Sequence, residues 1–491
     1  MKYDLSQYHV ETRAFIGGEY VQPKNNHKIE KYSSVTGEKL PEIVACDEKD
    51  VDYAVEIALK AYQQGSWSRM EGKERQRIML RFADLMEKHL EEIATLDAYE
   101  TGRAFQNYVY DSIPKAIEAI RYFAESIDKI YDKSASPGPG AFCVVKREAL
   151  GVVGIITPWN DPMVVAAWKF SPALLMGNSV VMKPAEQSSL SLIRVAALAK
   201  EAGIPDGVFN VVPGYGEIAG KALALHQDVA GIFFTGSSEV GKLLIQYVGQ
   251  SNMKRVALEC GGKGPYIVTP HYSDLEEAAA VLAQNMFYNQ GQICSAPSRV
   301  IVHQSIQEQF LEYLRKAAED YVPQNPYDIR NRVGCVVSRE QYDRVMKYID
   351  LARQENADVI IAASDSDLPE GACGIRPTII TKISEDSRLI KEEIFGPVVC
   401  VQAYRTKEEA VALANDTIYG LAGAVWTNDL NEAYYFANRV KVGLMHINSY
   451  GEDDNTSPFG GFKQSGNGKD KSIYAFDEYS ELKSIWVKVH G

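Results

Sequence analysis

The chain has 491 residues, 46% of them hydrophobic and 24% charged, a profile that excludes a disordered or fibrous protein. One core seldom organises more than about 250–300 residues, so two or three domains are expected. With 65 acidic against 52 basic residues the net charge is −13. That balance argues against broad nucleic-acid binding, which relies on Lys and Arg neutralising phosphates.

Met1–Val10 is polar and lacks the layout of a signal peptide. The most apolar stretch, Gly151–Trp168, is broken by Pro158, Asn160, Asp161 and Pro162 and does not read as a membrane span. The seven cysteines, at positions 46, 143, 260, 294, 335, 373 and 400, are scattered and never spaced as CxxC. Neither a disulfide framework nor a metal site is expected. The expectation is a cytoplasmic protein with reduced thiols, no bound metal and no nucleic-acid or membrane partner.

Along the chain, Val51, Ala54, Val55, Ala58, Leu59 and Tyr62 recur at helical spacing, and a second helical pattern runs from Glu74 until Gly102 stops it. Lys133–Gly140 reads as a linker, and Phe142–Lys146 as a short strand in an arm. From Gly151 the rhythm changes. Val152–Thr157, Ser179–Lys183, Val208–Val212 and Val229–Thr235 read as strands alternating with the helices Ser188–Ala202 and Ser237–Val248. That alternation implies a doubly wound parallel sheet, with ligands at the C-terminal ends of its strands.

A second alternation follows, through Tyr266–Thr269, Val300–Val302, Val359–Ala362, Thr378–Thr381, Val398–Val401 and Ala424–Thr427. Glu481–Val489 reads as a terminal strand. The fold class is therefore α/β, with two doubly wound lobes, a Rossmann-like one and a second one, plus a small β arm. The expected division is 1–130 with 150–260, then 261–470, with 131–149 and 471–491 as oligomerisation segments.

Two glycine-rich stretches invite a nucleotide reading. Gly236-Ser-Ser-Glu-Val-Gly241-Lys242 approaches the phosphate-binding P-loop, but Leu243 stands where a Ser or Thr would hold magnesium. Gly214-Tyr-Gly216 with Gly220 has the spacing GxGxxxG, a weak match to the dinucleotide fingerprint. Either is equally a tight strand-to-helix turn. A lone cysteine such as Cys294 in Gln290-Gly-Gln-Ile-Cys294 reads first as a small core residue, and Glu259 before Gly261-Gly262 as a solvated loop residue. Both nevertheless sit beside punctuating glycines where the two lobes should meet.

Taken in order, Pro158-Trp159-Asn160, Phe234-Thr235-Gly236-Ser237, Glu259, Cys294, Glu392-Glu393-Ile394-Phe395-Gly396-Pro397 and Pro458-Phe459-Gly460-Gly461 resemble the aldehyde dehydrogenase superfamily. The resemblance runs from Phe15-Ile-Gly-Gly-Glu19 to the end of the chain. It implies that Cys294 is the nucleophile, attacking as a thiolate. It implies an oxyanion hole from Asn160 and the Cys294 N–H, and Glu259 as the base that activates water. Lys169 and Asp470 match a pair that would relay protons, or equally form an ordinary buried ion pair.

Cofactor contacts are implied at Ile156, Thr157, Pro158, Trp159, Lys183, Glu186, Gly216, Phe234, Gly236, Ser237, Gly241, Glu393 and Phe395. A carboxylate at Glu186 favours NAD over NADP, because it accepts from ribose hydroxyls and repels a 2′-phosphate.

The substrate pocket implied comprises Asp161, Val165, Trp168, Tyr288, Ile293, Ser295, Glu452, Asp453 and Phe459. Many relatives carry an aromatic residue at the position of Asp161. With Glu452, Asp453, Asp454 and Asp111, it suggests an acidic tunnel that favours amine-bearing aldehydes, or else a merely solvated acidic loop. Ala124–Ile130, Gly466–Ser472 and Glu481–Trp486 look like the γ-glutamyl-γ-aminobutyraldehyde dehydrogenases. The expected partners are a small aldehyde and a second copy of the chain, as a homodimer or homotetramer. Alternatives are a broad-specificity aliphatic or aromatic aldehyde dehydrogenase, a CoA-acylating semialdehyde dehydrogenase, a phosphorylating dehydrogenase, a non-catalytic scaffold, and a nucleotide hydrolase.

Overall fold

A computed structural model describes residues 3–135, 138, 140–362, 366–451 and 454–489. Its first sheet has seven strands, in the order Arg255–Glu259, Val229–Thr235, Val152–Ile156, Ser179–Lys183, Phe209–Val211, Ala14–Ile16 and Glu19–Val21. The first five run parallel, and an antiparallel hairpin is joined to the last of them through Phe15 opposite Val211. The parallel strands are sealed on both faces, as such sheets require. Side-chain alternation sorts their residues between two cores. Val153, Ile155, Val180 and Met182 face one core. Val152, Ile156, Val181 and Ile232 face the other.

Helix Glu48–Gln64 covers the second of these cores. Asp47 caps its N-terminus in a reciprocal capping box with Asp50, and Gly65, at φ 82°, ends it. Its Val51, Ala54, Val55 and Ala58 point inward. Four helices, Gly72–Lys88, Ile113–Ser126, Pro162–Leu175 and Leu190–Ala202, fill the opposite core. Phe476 and Tyr479, from far along the chain, pack into that same core against Phe123 and Phe233.

The second sheet also has seven strands, in the order Asp358–Ile361, Thr378–Thr381, Val398–Tyr404, Arg299–His303, Pro265–Val268, Ala422–Trp426 and Leu444–Ile447. Only the first pair is antiparallel. Here too alternation divides the strands. Tyr266, Val300 and Trp426 turn to one core, and Ile267, Ile301 and Val425 to another. Both sheets are thus doubly wound α/β, as the strand–helix alternation implies.

The third sheet corrects one expectation. Lys133–Ala135 is a strand rather than linker, while Ser136, Pro137 and Pro139 lie outside the described residues. The arm, Ala141–Ala149, pairs along nine residues with Ser480–Lys488 of the same chain. The two segments therefore satisfy each other's inner edges. The outer edge of Ser480–Lys488 has no partner among the described residues, and Leu482 and Trp486 are each 65% exposed there. No helix is long and apolar enough to cross a membrane among those residues.

Candidate active site

The two large sheets are joined by the segment Cys260–Gly264, between the edge strand Arg255–Glu259 and the central strand Pro265–Val268. Glu259 is the last residue of the edge strand, so it stands at the C-terminal rim of the first sheet, facing the junction. Gly262 must be glycine, since a Cβ there would lie 2.4 Å from the Cys294 carbonyl oxygen. That close approach brings the glutamate segment against the cysteine segment.

Cys294 follows a turn that few sequences tolerate. Asn289, Gln290 and Gly291 have φ of 50°, 55° and 68°, three consecutive residues in the left-handed region. Side chains hold the turn in place. Gln290 donates to Ile375 O at 3.0 Å and accepts from Ile375 N at 2.8 Å. Gln292 accepts from Val337 N at 2.9 Å and donates to Asn289 O at 3.1 Å. Six of the seven cysteines are buried, whereas Cys294 remains partly open. Burial and the nearby carboxylates Glu393 and Glu259 push its thiol up to about 12. A thiol so placed has to give up its proton before or during attack as a thiolate.

Glu259 is 3% exposed, and neither carboxyl oxygen has a hydrogen-bond partner among the described residues. Burial raises its pKa well above the usual carboxylate range, and Asp470 reinforces the shift. Lys169 and Lys469 oppose it. Lys169 itself is locked to Asp470, with Nζ at 3.0 and 2.8 Å from the two oxygens. Phe459 and Asp470 exchange two backbone hydrogen bonds of 2.8 Å, which fixes the carboxylate. The amide of Asn160 donates to Gln292 O at 3.0 Å, two residues before the cysteine. An amide nitrogen carries two hydrogens, so the second is available to an oxygen bound at Cys294.

A cavity of about 480 Å³ lies at the rim of the first sheet. Ile156, Thr157, Pro158 and Trp159 form one side, Lys183, Glu186 and Gly216 another, and Phe234, Gly236 and Ser237 a third. Glu186 accepts from Gly216 N at 2.6 Å and from Lys183 Nζ at 3.3 Å. Gly241 lies beneath the cavity, where a Cβ would come within 2.9 Å of Cys260 Sγ. Ser237 caps the helix Ser238–Gln250, whose N-terminal amides suit a phosphate. Thr157 and Thr235 present buried hydroxyls without partners among the described residues. These features fit a dinucleotide.

An adjoining cavity of about 180 Å³ holds Cys294, Asn160, Trp159, Glu393 and Phe395. Burial lifts Glu393 to about 7, although Gly262 N donates to it at 2.8 Å. Phe395 has a φ of 57° and stands edge-on to Trp159 at 5.3 Å. Gln341 and Arg344, which no motif marks, anchor this wall by donating to Phe395 O at 2.7 Å and Glu393 O at 3.0 Å.

The proposed substrate residues divide. Trp168 tilts on Phe459 at 5.3 Å, and Val165 lies one turn earlier on the same helix. Ile293 and Ser295 flank Cys294, and Ser295 O accepts from Tyr450 OH at 2.5 Å. Tyr288 lines a 590 Å³ cavity with Asp111. Glu452 and Asp453 lie outside the described residues. Asp161 departs from expectation. It is not an unpaired acid, because Oδ2 is 3.3 Å from Nη1 of the buried Arg103. Burial raises its pKa and Arg103 offsets part of that. Asp111 is likewise paired, with Lys115 Nζ at 2.7 Å.

The model of the aldehyde dehydrogenase family matches residues 20–485. Aminoacetaldehyde dehydrogenase of Pseudomonas aeruginosa is 42% identical over 476 residues, which are 97% of this chain and 95% of the relative. Two solved structures superpose with a TM-score of 0.96 over 99% of this chain and 98% of theirs. One is a mutant of the indole-3-acetaldehyde dehydrogenase AldA of P. syringae with NAD+ and IAA, 44% identical. The other is the γ-glutamyl-γ-aminobutyraldehyde dehydrogenase of Burkholderia cenocepacia, 43% identical.

Proposed function

Because the chain belongs to the aldehyde dehydrogenase family, we propose that it oxidises an amine-derived, polar aldehyde to its carboxylic acid with NAD, through covalent intermediates on Cys294. The observation that carries this reading is Glu259, a buried carboxyl without hydrogen-bond partners among the described residues, on a segment packed against that of the partly open Cys294. A base of that kind in a desolvated site is poised to take a proton from water near neutrality. The names of the relatives support the amine-derived class.

Cys294 Sγ adds to the aldehyde carbon as its proton passes to Glu259 and on to solvent. The resulting oxyanion lies between the Asn160 amide and the Cys294 N–H. When bound, NAD supplies the acceptor for the hydride. Cys294 then carries a thioester, which is attacked by a water whose proton goes to Glu259. The acid leaves, and the expelled thiolate takes the proton back from Glu259, which restores both thiol and carboxylate. Lys169 and Asp470, paired with each other and acting on Glu259 through their charges, would relay its proton toward solvent.

Ile156, Thr157, Trp159, Lys183, Glu186 and Ser237 would hold the adenosine and phosphates, with Glu393 and Phe395 toward the nicotinamide end. Glu186 favours NAD over NADP. Residues 1–130 and 150–260 form the cofactor domain in this reading, and 261–470 the catalytic domain. Residues 131–149 and 471–491 build a cytoplasmic homodimer or homotetramer. A CoA-acylating reaction needs no water-activating base, so Glu259 speaks against it. The pairing of Asp161 with Arg103 favours, as a second reading, a broad-specificity aldehyde dehydrogenase.

The test is NADH formation across aliphatic, aromatic and amino aldehydes. Cys294→Ala should abolish turnover and keep NAD binding, and Cys260→Ala should retain most activity. Turnover by Cys294→Ala above a trace would overturn the covalent route.

A further inference from the structure

Arg103 follows Gly102, whose φ of 70° ends the helix Leu90–Thr101 and turns the next side chain inward. That side chain is 3% exposed, and both prongs of its guanidinium are engaged. Nη1 donates to Asn160 O at 3.3 Å and faces Asp161 Oδ2 at 3.3 Å. Nη2 donates to Tyr288 OH at 3.1 Å and lies 3.8 Å from Asp111 Oδ2. Tyr288 OH in turn donates to Asp111 Oδ2 at 2.9 Å. The rings of Tyr108 and Tyr288 flank the guanidinium at 5.0 and 5.2 Å. One cation thus ties the oxyanion asparagine to two acids, and Tyr288 and Asp111 line the large cavity.

We propose that Arg103 is a positioning residue with two separable effects: its fork aims Asn160, and its charge cancels that of the adjacent Asp161 so that the site around Asn160 is not cation-selective. The first effect follows from geometry. Asn160 O receives Arg103 Nη1 and, at 3.1 Å, Asn289 Nδ2. Two donors from different elements fix the carbonyl, and the side-chain amide projects from that anchored backbone to donate to Gln292 O at 3.0 Å. The second effect is a charge count. Asp161 and Asp111 stand against Arg103 and Lys115, so these four charges sum to zero. An acidic residue beside Asn160 therefore attracts no aminoaldehyde while Arg103 is in place.

Lysine can replace the charge but not the planar fork, which allows the two effects to be separated. The inference rests on aldehyde oxidation as proposed above. The assay compares kcat and kcat/KM for aminoacetaldehyde and for hexanal in the full-length enzyme.

In Arg103→Met, kcat should fall at least about tenfold for both aldehydes, through loss of the asparagine's aim. The aminoacetaldehyde-to-hexanal ratio of kcat/KM should rise about fivefold, because Asp161 is unmasked. Arg103→Lys should keep the wild-type ratio while kcat stays low. Adding Asp161→Asn to Arg103→Met should restore the ratio and not kcat. If Arg103→Met does not fold, Asp161→Asn alone reads the charge effect. The cation it leaves should lower the aminoacetaldehyde ratio about fivefold. An unchanged ratio in all these variants, or equal recovery of kcat and ratio by lysine, overturns the proposal. Absence of NADH with every aldehyde in the wild type overturns the oxidation reading itself, and this inference with it.

Discussion

Replacing Glu259 with glutamine tests the division of labour at the site. The amide has nearly the shape of the carboxyl, and the space is tight: a Cβ on Gly460 would lie 2.6 Å from Glu259 Oε1. The introduced side chain should therefore stay in place, and the loss should be chemical. A positioned base contributes about 10²–10⁴-fold. Glu259 is 3% exposed, the neighbouring Asp470 is held by Lys169, and Glu393 is engaged by Gly262 N, so no other carboxyl stands free in its place. The loss should therefore fall in the middle of that range or above, at about 10³-fold in thioester hydrolysis, equivalent to about 4 kcal/mol.

Thioester formation needs no water and should persist. Rapid mixing with NAD and aldehyde should show a burst of NADH close to one equivalent per site, then a slow steady state. In the wild type, hydrolysis should speed up as pH rises through the raised pKa of Glu259, because only the ionised form accepts a proton. The Glu259→Gln variant should lose that dependence. If it shows no burst, with both phases equally slow, Glu259 is not the hydrolytic base.

Lys263 is buried, its ammonium has no hydrogen-bond partner among the described residues, and burial lowers its pKa from 10.5 to about 8. A lowered lysine pKa means the folded state binds fewer protons, so stability from this group is lowest below pH 8 and rises toward pH 10.5. Lys263→Met should raise thermal stability at pH 7 by up to about 3 kcal/mol, with the gain vanishing above about pH 10, as read by calorimetry. An unchanged or lower transition at pH 7 would refute it. The unpaired edge of Ser480–Lys488, with Leu482 and Trp486 exposed, should be covered by another subunit. Sedimentation should show a dimer or tetramer, and a stable monomer at micromolar concentration would refute that assignment.

Much of the architecture is written in local pattern. Parallel strands buried on both faces read as apolar runs, and all four runs named for the first sheet are strands there. What escapes is short or non-local. Ala14–Ile16 and Glu19–Val21 have three residues each, too few for a period, although Gly17 and Gly18 mark their turn. Arg255–Glu259 is hidden because Glu259 before glycines looks like a loop, whereas it ends a buried edge strand.

At the site, Cys294 and Asn160 stand in motifs, but their surroundings do not. Asp161 reads as a tunnel acid because its partner, Arg103, is far away in sequence and follows an ordinary helix-ending glycine. Gln341 and Arg344 lie on a helix with ordinary polar spacing, and only folding turns them to Glu393 and Phe395. Charge pairing across elements has no sequence period, so it becomes visible only with coordinates.

The contact between Lys169 and Asp470 spans 301 residues, and Tyr479 stacks on Phe233 at 4.0 Å in the core of the first sheet. During synthesis, the strands and helices of that sheet emerge long before the residues that complete them. At ~5–20 residues per second, translation leaves an interval of tens of seconds in which one flank of the first core has no cover and Lys169 no counter-ion. The nascent protein must therefore wait with an incomplete catalytic centre. Substitutions around Asp470 and Phe476 should then impair yield and ageing in the cell more than they impair the finished enzyme.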